Sequence, residues 1–120
     1  MAIPLTQAPG LSGSTFLDFP LALDLDTLSA DFAILGIPFG MPYDEAGKPN
    51  DQSLAPDAIR HTPNQEDIAY TKGHYDWDLG GHLLDGQHID IVDCGNVTFD
   101  SSDYHEHYLR AEQAARKIFS

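Results

Sequence analysis

Ala30-Asp31-Phe32-Ala33-Ile34-Leu35-Gly36-Ile37-Pro38-Phe39 is the stretch on which the fold turns. From Phe32 to Ile37 it is an almost unbroken apolar run, with Asp31 ahead of it and Pro38 closing it. A half-exposed strand alternates apolar and polar residues, and an amphipathic helix repeats every three to four. A strand covered on both faces has no polar side and reads as a continuous run, as in a parallel sheet. The run predicts a strand over residues 32–38, buried on both faces.

Working outward, residues 39–54 are dense in Gly, Pro, Asp and Asn. A loop of that length inside a compact domain is commonly functional or disordered. Ala55-Pro56-Asp57-Ala58-Ile59-Arg60 then starts a helix: proline suits the first turn, and Asp57 lies near the positive end of the helix dipole. Ser53 and Ala55 both suit the cap, and Pro63 stops or bends the helix soon after. Residues 64–86 read as an irregular excursion whose aromatics, Tyr70, Tyr75 and Trp77, tuck beneath it as a satellite cluster. His88 to Gly95 is a second strand, with Ile89, Ile91, Val92 and Cys94 as its apolar positions. Beyond the Ser101-Ser102-Asp103 cap, one helix runs to Phe119, with Tyr104, Tyr108, Ala111, Ala115 and Ile118 as its apolar stripe. Upstream, residues 1–29 form an arm and connector: Pro, Gly, Ser and Thr without periodicity to residue 15, then Leu21, Leu23, Leu25 and Leu28 among aspartates.

Strands alternating with helices indicate an α/β unit built on a parallel sheet. Two strands leave an apolar edge and uncovered faces. The expectation is an incomplete domain over residues 30–120, or one completed by another chain.

Bulk properties narrow the class. Apolar residues are 42% and charged residues 21%, the balance of an ordinary soluble domain. No run has the length of a membrane span, and the N-terminus lacks the basic and apolar regions of a signal peptide. A single cysteine, Cys94, excludes an internal disulfide framework and suits a reducing compartment, so a cytoplasmic location is expected. Nineteen acids against six Lys and Arg give a net charge of −13. That charge disfavours nucleic acid and anionic membranes as partners, since both need a basic surface. A cationic small substrate or a metal ion would be attracted; equally, the acids serve solubility alone.

Six histidines invite a metal reading. His105 and His107 stand two apart on a helix, point in different directions and cannot share an ion; a solvated first turn is the plainer reading. His74, Asp76, Asp78 and His82 match no ligand spacing, and surface loop polars account for them. Cys94, ending an apolar run, reads as a buried, inert thiol. Ligands of α/β proteins bind beyond the carboxyl ends of strands, so the 39–54 loop and the Gly95-Asn96-Val97 turn are the favoured segments.

These residues resemble a known family. Ala30 to Phe39 is similar to the first strand of the ureohydrolases, A-D-[VI]-A-[VI]-[LIV]-G-[VI]-P-[FY]-D. Ala55 to Arg60 resembles their G-P-x-A-I-R helix start, and Ile91-Val92-Asp93-Cys94-Gly95-Asn96-Val97 their V-x-D-x-G-D-[VI] strand and turn. The order matches, and the likeness covers about residues 30 to 119. It implies the N-terminal part of an arginase- or agmatinase-like enzyme with a three-layer α/β/α fold around a central parallel sheet, assembled as a homo-oligomer (trimer or hexamer). It implies hydrolysis of a guanidino C–N bond in a small molecule at a binuclear manganese or nickel centre, whose metals activate a bridging water. The family's ligand motifs, G-G-D-H, D-A-H-x-D and D-x-D-x-x-D-P, do not occur here, so no residue inherits a metal or catalytic role and the chain alone is expected to be inactive. Gly40 replaces the usual Asp, and the loop reads Met41-Pro42-Tyr43-Asp44-Glu45-Ala46-Gly47-Lys48, which points to an atypical substrate. Met41, Pro42, Tyr43, Asp44 and Asn96 are the expected rim of the pocket. The rival expectation is a non-catalytic interaction module that completes its sheet with a partner chain.

Overall fold

The computed structural model describes residues 4–10, 14–39, 51–61, 75–78, 80–82, 88–98 and 104–120. The expected strand forms as β2, Phe32–Gly36. The second strand, β5, runs Ile91–Val97, starting and ending later than the 88–95 expected. They pair in parallel, Phe32 opposite Ile91, Ala33 opposite Val92 and Ile34 opposite Asp93. Asp31 fastens the start of the pair: its backbone N–H donates to the Asp90 carbonyl at 2.9 Å, and its carboxylate accepts the Asp90 N–H at 2.8 Å.

The register then slips, and Gly36 faces Asn96. Two steps along β2 thus correspond to three along β5, which is a β-bulge around Gly95, whose φ is +73°. Alternation would place Asp93 and Asn96 on opposite faces. The extra residue brings both to the face of helix α1 (Ala55–His61), while Cys94 and Val97 share the other face with the core. A side chain at Gly95 would meet the Gln7 carbonyl at 2.2 Å, so this bulge accepts only glycine.

The arm corrects the expectation that nothing regular lies before residue 16. Thr6–Gln7 is a short strand, β1, antiparallel to β5, giving the sheet order β1-β5-β2. Further along, Ala22 N–H donates to the Asp93 carbonyl and Asp93 N–H to the Pro20 carbonyl, both at 2.8 Å. The connector thereby satisfies backbone groups that an open edge would leave to solvent or to another chain.

The two helices are where the punctuation placed them. α1 spans Ala55–His61 after one turn of 3-10 helix at Asp51–Leu54, and α2 spans Tyr104–Ile118. The stripe of α2 differs from the expected one. His107 and Ala114 are buried, Ala111 and Ile118 pack against the core, and Tyr108 is 56% exposed. Alanine lets the helix axis approach β5, whereas a tyrosine keeps its hydroxyl near water. The core is Leu25, Cys94, Val97 and Ala114, flanked by Leu28, Ala33, Leu35 and Val92.

Burial of β2 on both faces does not hold throughout. Phe32 is 60% exposed, and among the described residues nothing pairs with the strand's outer edge. The excursion also departs from expectation. Tyr75–Asp76 (β3) and Gly81–His82 (β4) form a hairpin. Tyr75 packs on Trp77 and His82, yet Trp77 is 86% exposed rather than tucked beneath. Tyr70 and His74 lie outside the described residues.

Candidate functional site

A charged residue within an apolar strand must find a partner or lose its charge. Asp93 sits in the middle of β5 and is fully buried. Its partner is Arg60, the last buried residue of α1, whose side chain is 3% exposed. Nε donates to Asp93 Oδ2 at 2.8 Å and Nη2 to Oδ1 at 3.0 Å, a bidentate pair whose planar fork matches the carboxylate. Nη2 also donates to the Gly95 carbonyl at 2.9 Å, which the bulge turns toward it. Nη1 donates to Asn96 Oδ1 and lies 3.5 Å from Asp57 Oδ1.

The network extends in two directions. Asn96 Nδ2 donates to Asp57 Oδ1 at 2.7 Å, tying β5 to the first turn of α1. Asp93 accepts the Phe16 N–H at 2.8 Å and the Gly95 N–H at 2.9 Å, and Asp57 accepts the Gly10 N–H at 3.0 Å. Burial by itself raises the Asp93 carboxyl. The Arg60 hydrogen bonds, the two backbone N–H groups and the guanidinium charge outweigh it and hold the group below its ordinary value of 3.8. Gly36 of β2 completes the assembly. A Cβ there would stand 1.9 Å from Asn96 Oδ1 and 3.0 Å from Arg60 Nη1, so only glycine lets β2 pass this close.

This is a structural knot. Arginine does not release its proton, and Asp93 is held ionised out of reach of solvent, so neither serves as a general acid or base. The knot shapes the carboxyl ends of β2 and β5. Beside it, Phe16, Ile34, Gly36, Pro56 and Ile59 line an open apolar cleft of about 310 Å³.

Past β2, Phe39 packs against the first turns of α2. Its ring stacks on His107 at 6.0 Å, and lies 5.8 Å from Tyr104 and 5.0 Å from Tyr108. His107 is 1% exposed, which corrects the solvated first turn expected there. Burial pushes its pKa below the ordinary 6.5, aided by Arg110, while hydrogen bonding to the backbone of Thr98 and Pro38 works the other way. Cys94 is fully buried, and burial together with the charge of Asp93 pushes its thiol up, the state of an unreactive cysteine.

Of the expected rim, Asn96 is 4% exposed and faces Arg60 and Asp57. Met41, Pro42, Tyr43 and Asp44 lie outside the described residues. Asp78 and His82 are exposed, and among the described residues no three His, Cys, Asp or Glu side chains come together in a way that would hold a metal ion. Sequence reading did not anticipate the Arg60–Asp93 pair. The available signal was an aspartate flanked by Val92 and Cys94 in an apolar strand.

The family model of the arginase family matches residues 30–120, and the chain belongs to that family. It is also similar to an agmatinase of Photorhabdus laumondii subsp. laumondii, 28% identical over 105 residues. That match covers 88% of this chain and spans 31% of the relative's length. The family implies an α/β fold, consistent with the small mixed sheet and two helices described above. The three segments carrying the resemblance, at Gly36, Arg60 and Asp93 to Asn96, are those that meet in the knot.

Proposed function

We propose that the protein hydrolyses a guanidino-type C–N bond in a small molecule, as an agmatinase- or arginase-like hydrolase. Membership of the arginase family over residues 30–120 carries the reading. The similarity to an agmatinase supports it, and a net charge of −13 suits a cationic substrate. The role of the described residues is scaffolding: the knot holds the carboxyl ends of β2 and β5, beyond which an α/β protein binds its ligand. Met41, Pro42, Tyr43, Asp44 and Asn96 would form the rim of its pocket. Gly40 and the 41–48 loop depart from the family pattern, so the substrate panel extends beyond arginine and agmatine to other guanidino compounds.

The reading includes a binuclear manganese or nickel centre, a three-layer α/β/α architecture, a trimeric or hexameric assembly and a cytoplasmic location. The residues described here do not fit a metal ion, so its ligands are sought outside them and no catalytic step is assigned to this part of the molecule. No helix among the described residues is long and apolar enough to cross a membrane.

The full-length gene product is to be assayed for bound metal and for urea release from a panel of guanidino compounds. At least one equivalent of manganese or nickel, with urea from one compound, is expected. Less than one equivalent together with no urea from any compound would sink the reading. A non-catalytic module that completes its sheet with a partner chain is the second reading, favoured by the outer edge of β2, unpaired among the described residues, and by the exposure of Phe32 (60%) and of Ile37 just past the strand (47%). It predicts a stoichiometric second polypeptide and no turnover in the same preparation.

A further inference from the structure

The N-terminal segment crosses the free edge of β5 as a strap. Its own strand supplies only the register Thr6 to Val97 and Gln7 to Asn96, extended by the Thr98 N–H donating to the Leu5 carbonyl at 2.9 Å. A pairing so short is marginal. Two further bonds reach from the strap to the knot: Gly10 N–H to Asp57 Oδ2 and Phe16 N–H to Asp93 Oδ2.

Asn96 joins the two anchoring carboxylates through Arg60. It accepts from Arg60 Nη1 and donates to Asp57 Oδ1. Arginine offers only donors and an ionised carboxylate only acceptors, so an amide is the neutral group that meets both. The order of its two ends is set by its neighbours. A carboxylate at this position would set oxygen against oxygen beside Asp57, and would leave Arg60 facing three anions.

We propose that Asp57 and Asn96 form a polarity-matched latch that holds the strap against β5, and that the latch requires one carboxylate and one amide without regard to which position carries which. In the exchanged pair, the two oxygens of Asp at 96 accept from Arg60 Nη1 and from the amide nitrogen at 57. The amide oxygen at 57 accepts the Gly10 N–H. The long 3.5 Å contact of Arg60 Nη1 with Asp57 Oδ1 is given up, and the new carboxylate at 96 takes over that ion pair; every other donor keeps its acceptor. The single changes fail for different reasons. Asn96→Asp creates the oxygen-to-oxygen contact. Asp57→Asn leaves one oxygen for three donors, the Gly10 N–H, Asn96 Nδ2 and Arg60 Nη1. An open latch frees the strap and exposes the edge of β5 to pairing with other chains.

Amide hydrogen exchange at Gly10, Phe16 and Thr98 in the full-length protein reads the strap directly. N96D and D57N are each expected to speed exchange there by about tenfold or more, the effect of one buried donor or acceptor left unmet. The double variant D57N/N96D is expected to return to within about threefold of the parent, well inside one lost hydrogen bond. Slow exchange in both single variants, or a double variant as fast as the singles, overturns the latch. If a single variant does not fold, the double variant decides alone: folded and protected supports the proposal, unfolded or unprotected overturns it.

Discussion

At the scale of the residue, Arg60 concentrates the consequences. Its guanidinium uses Nε, Nη1 and Nη2 on Asp93, Asn96 and Gly95, and it neutralises a carboxylate that is 0% exposed. Removing one partner of a buried pair leaves an uncompensated charge and costs roughly 3–5 kcal/mol. Arg60→Ala should lower the stability of the full-length protein by about that amount in urea unfolding. Arg60→Lys should recover only a minor part, because an ammonium is a point donor and cannot engage Asp93 and the Gly95 carbonyl in one plane. A loss below about 1 kcal/mol for Arg60→Ala, the scale of an exposed ion pair, would mean the knot is not closed in solution.

At the scale of the element, α2 shows how much of a helix is legible from its pattern. Its boundaries agree with expectation to within a residue at the C-terminus, because the cap and periodicity are local properties. Its rotation about its own axis does not. Tyr104, Tyr108, Ala111, Ala115 and Ile118 suggested one face; Ala111 and Ile118 do pack against the core, but His107 and Ala114 are the residues buried and Tyr108 is exposed. Periodicity assigns an apolar stripe but not which edge of it the sheet will cover, and small residues win where backbones must approach closely. Ala114 is 0% exposed against β5, so Ala114→Leu overpacks that contact and should cost about 1–3 kcal/mol. Ala115→Leu, on the half-buried flank, should cost less. Thermal melts of the two variants test the rotation, and the reverse order would contradict it.

At the scale of the whole molecule, acid acts through two buried groups among the described residues, His107 and Asp93. His107 has its pKa lowered in the folded state, chiefly by burial, so the unfolded chain binds the proton more readily. Its contribution to stability is complete above the ordinary 6.5 and is lost as the pH falls from there through the lowered value. Asp93 is likewise lowered, burial being outweighed by Arg60 and the two N–H donors. Its contribution is complete above the ordinary 3.8 and disappears below it, as the carboxylate is protonated. The urea midpoint should therefore fall in two steps with decreasing pH. His107→Gln should remove the upper step and leave the lower one. An upper step that survives the substitution would place its origin elsewhere.

The sequence by itself determined the two longer strands, the two helices and the family. An apolar run closed by Pro38, a helix opened by Pro56 and a capped amphipathic helix before Phe119 are local signals, written in neighbouring residues. It determined the burial of Cys94 for the same reason, since that residue ends an apolar run. Only the tertiary structure decided what the motif residues are for. Asp93 and Asn96 reach one guanidinium because a bulge at Gly95 cancels the alternation between them, and a bulge depends on the partner strand's register. Arg60 lies 33 residues from Asp93 and Phe16 lies 77, separations over which no periodicity extends. The strap, read as a structureless arm, acquires its strand only because β5 offers an edge and the knot offers two acceptors.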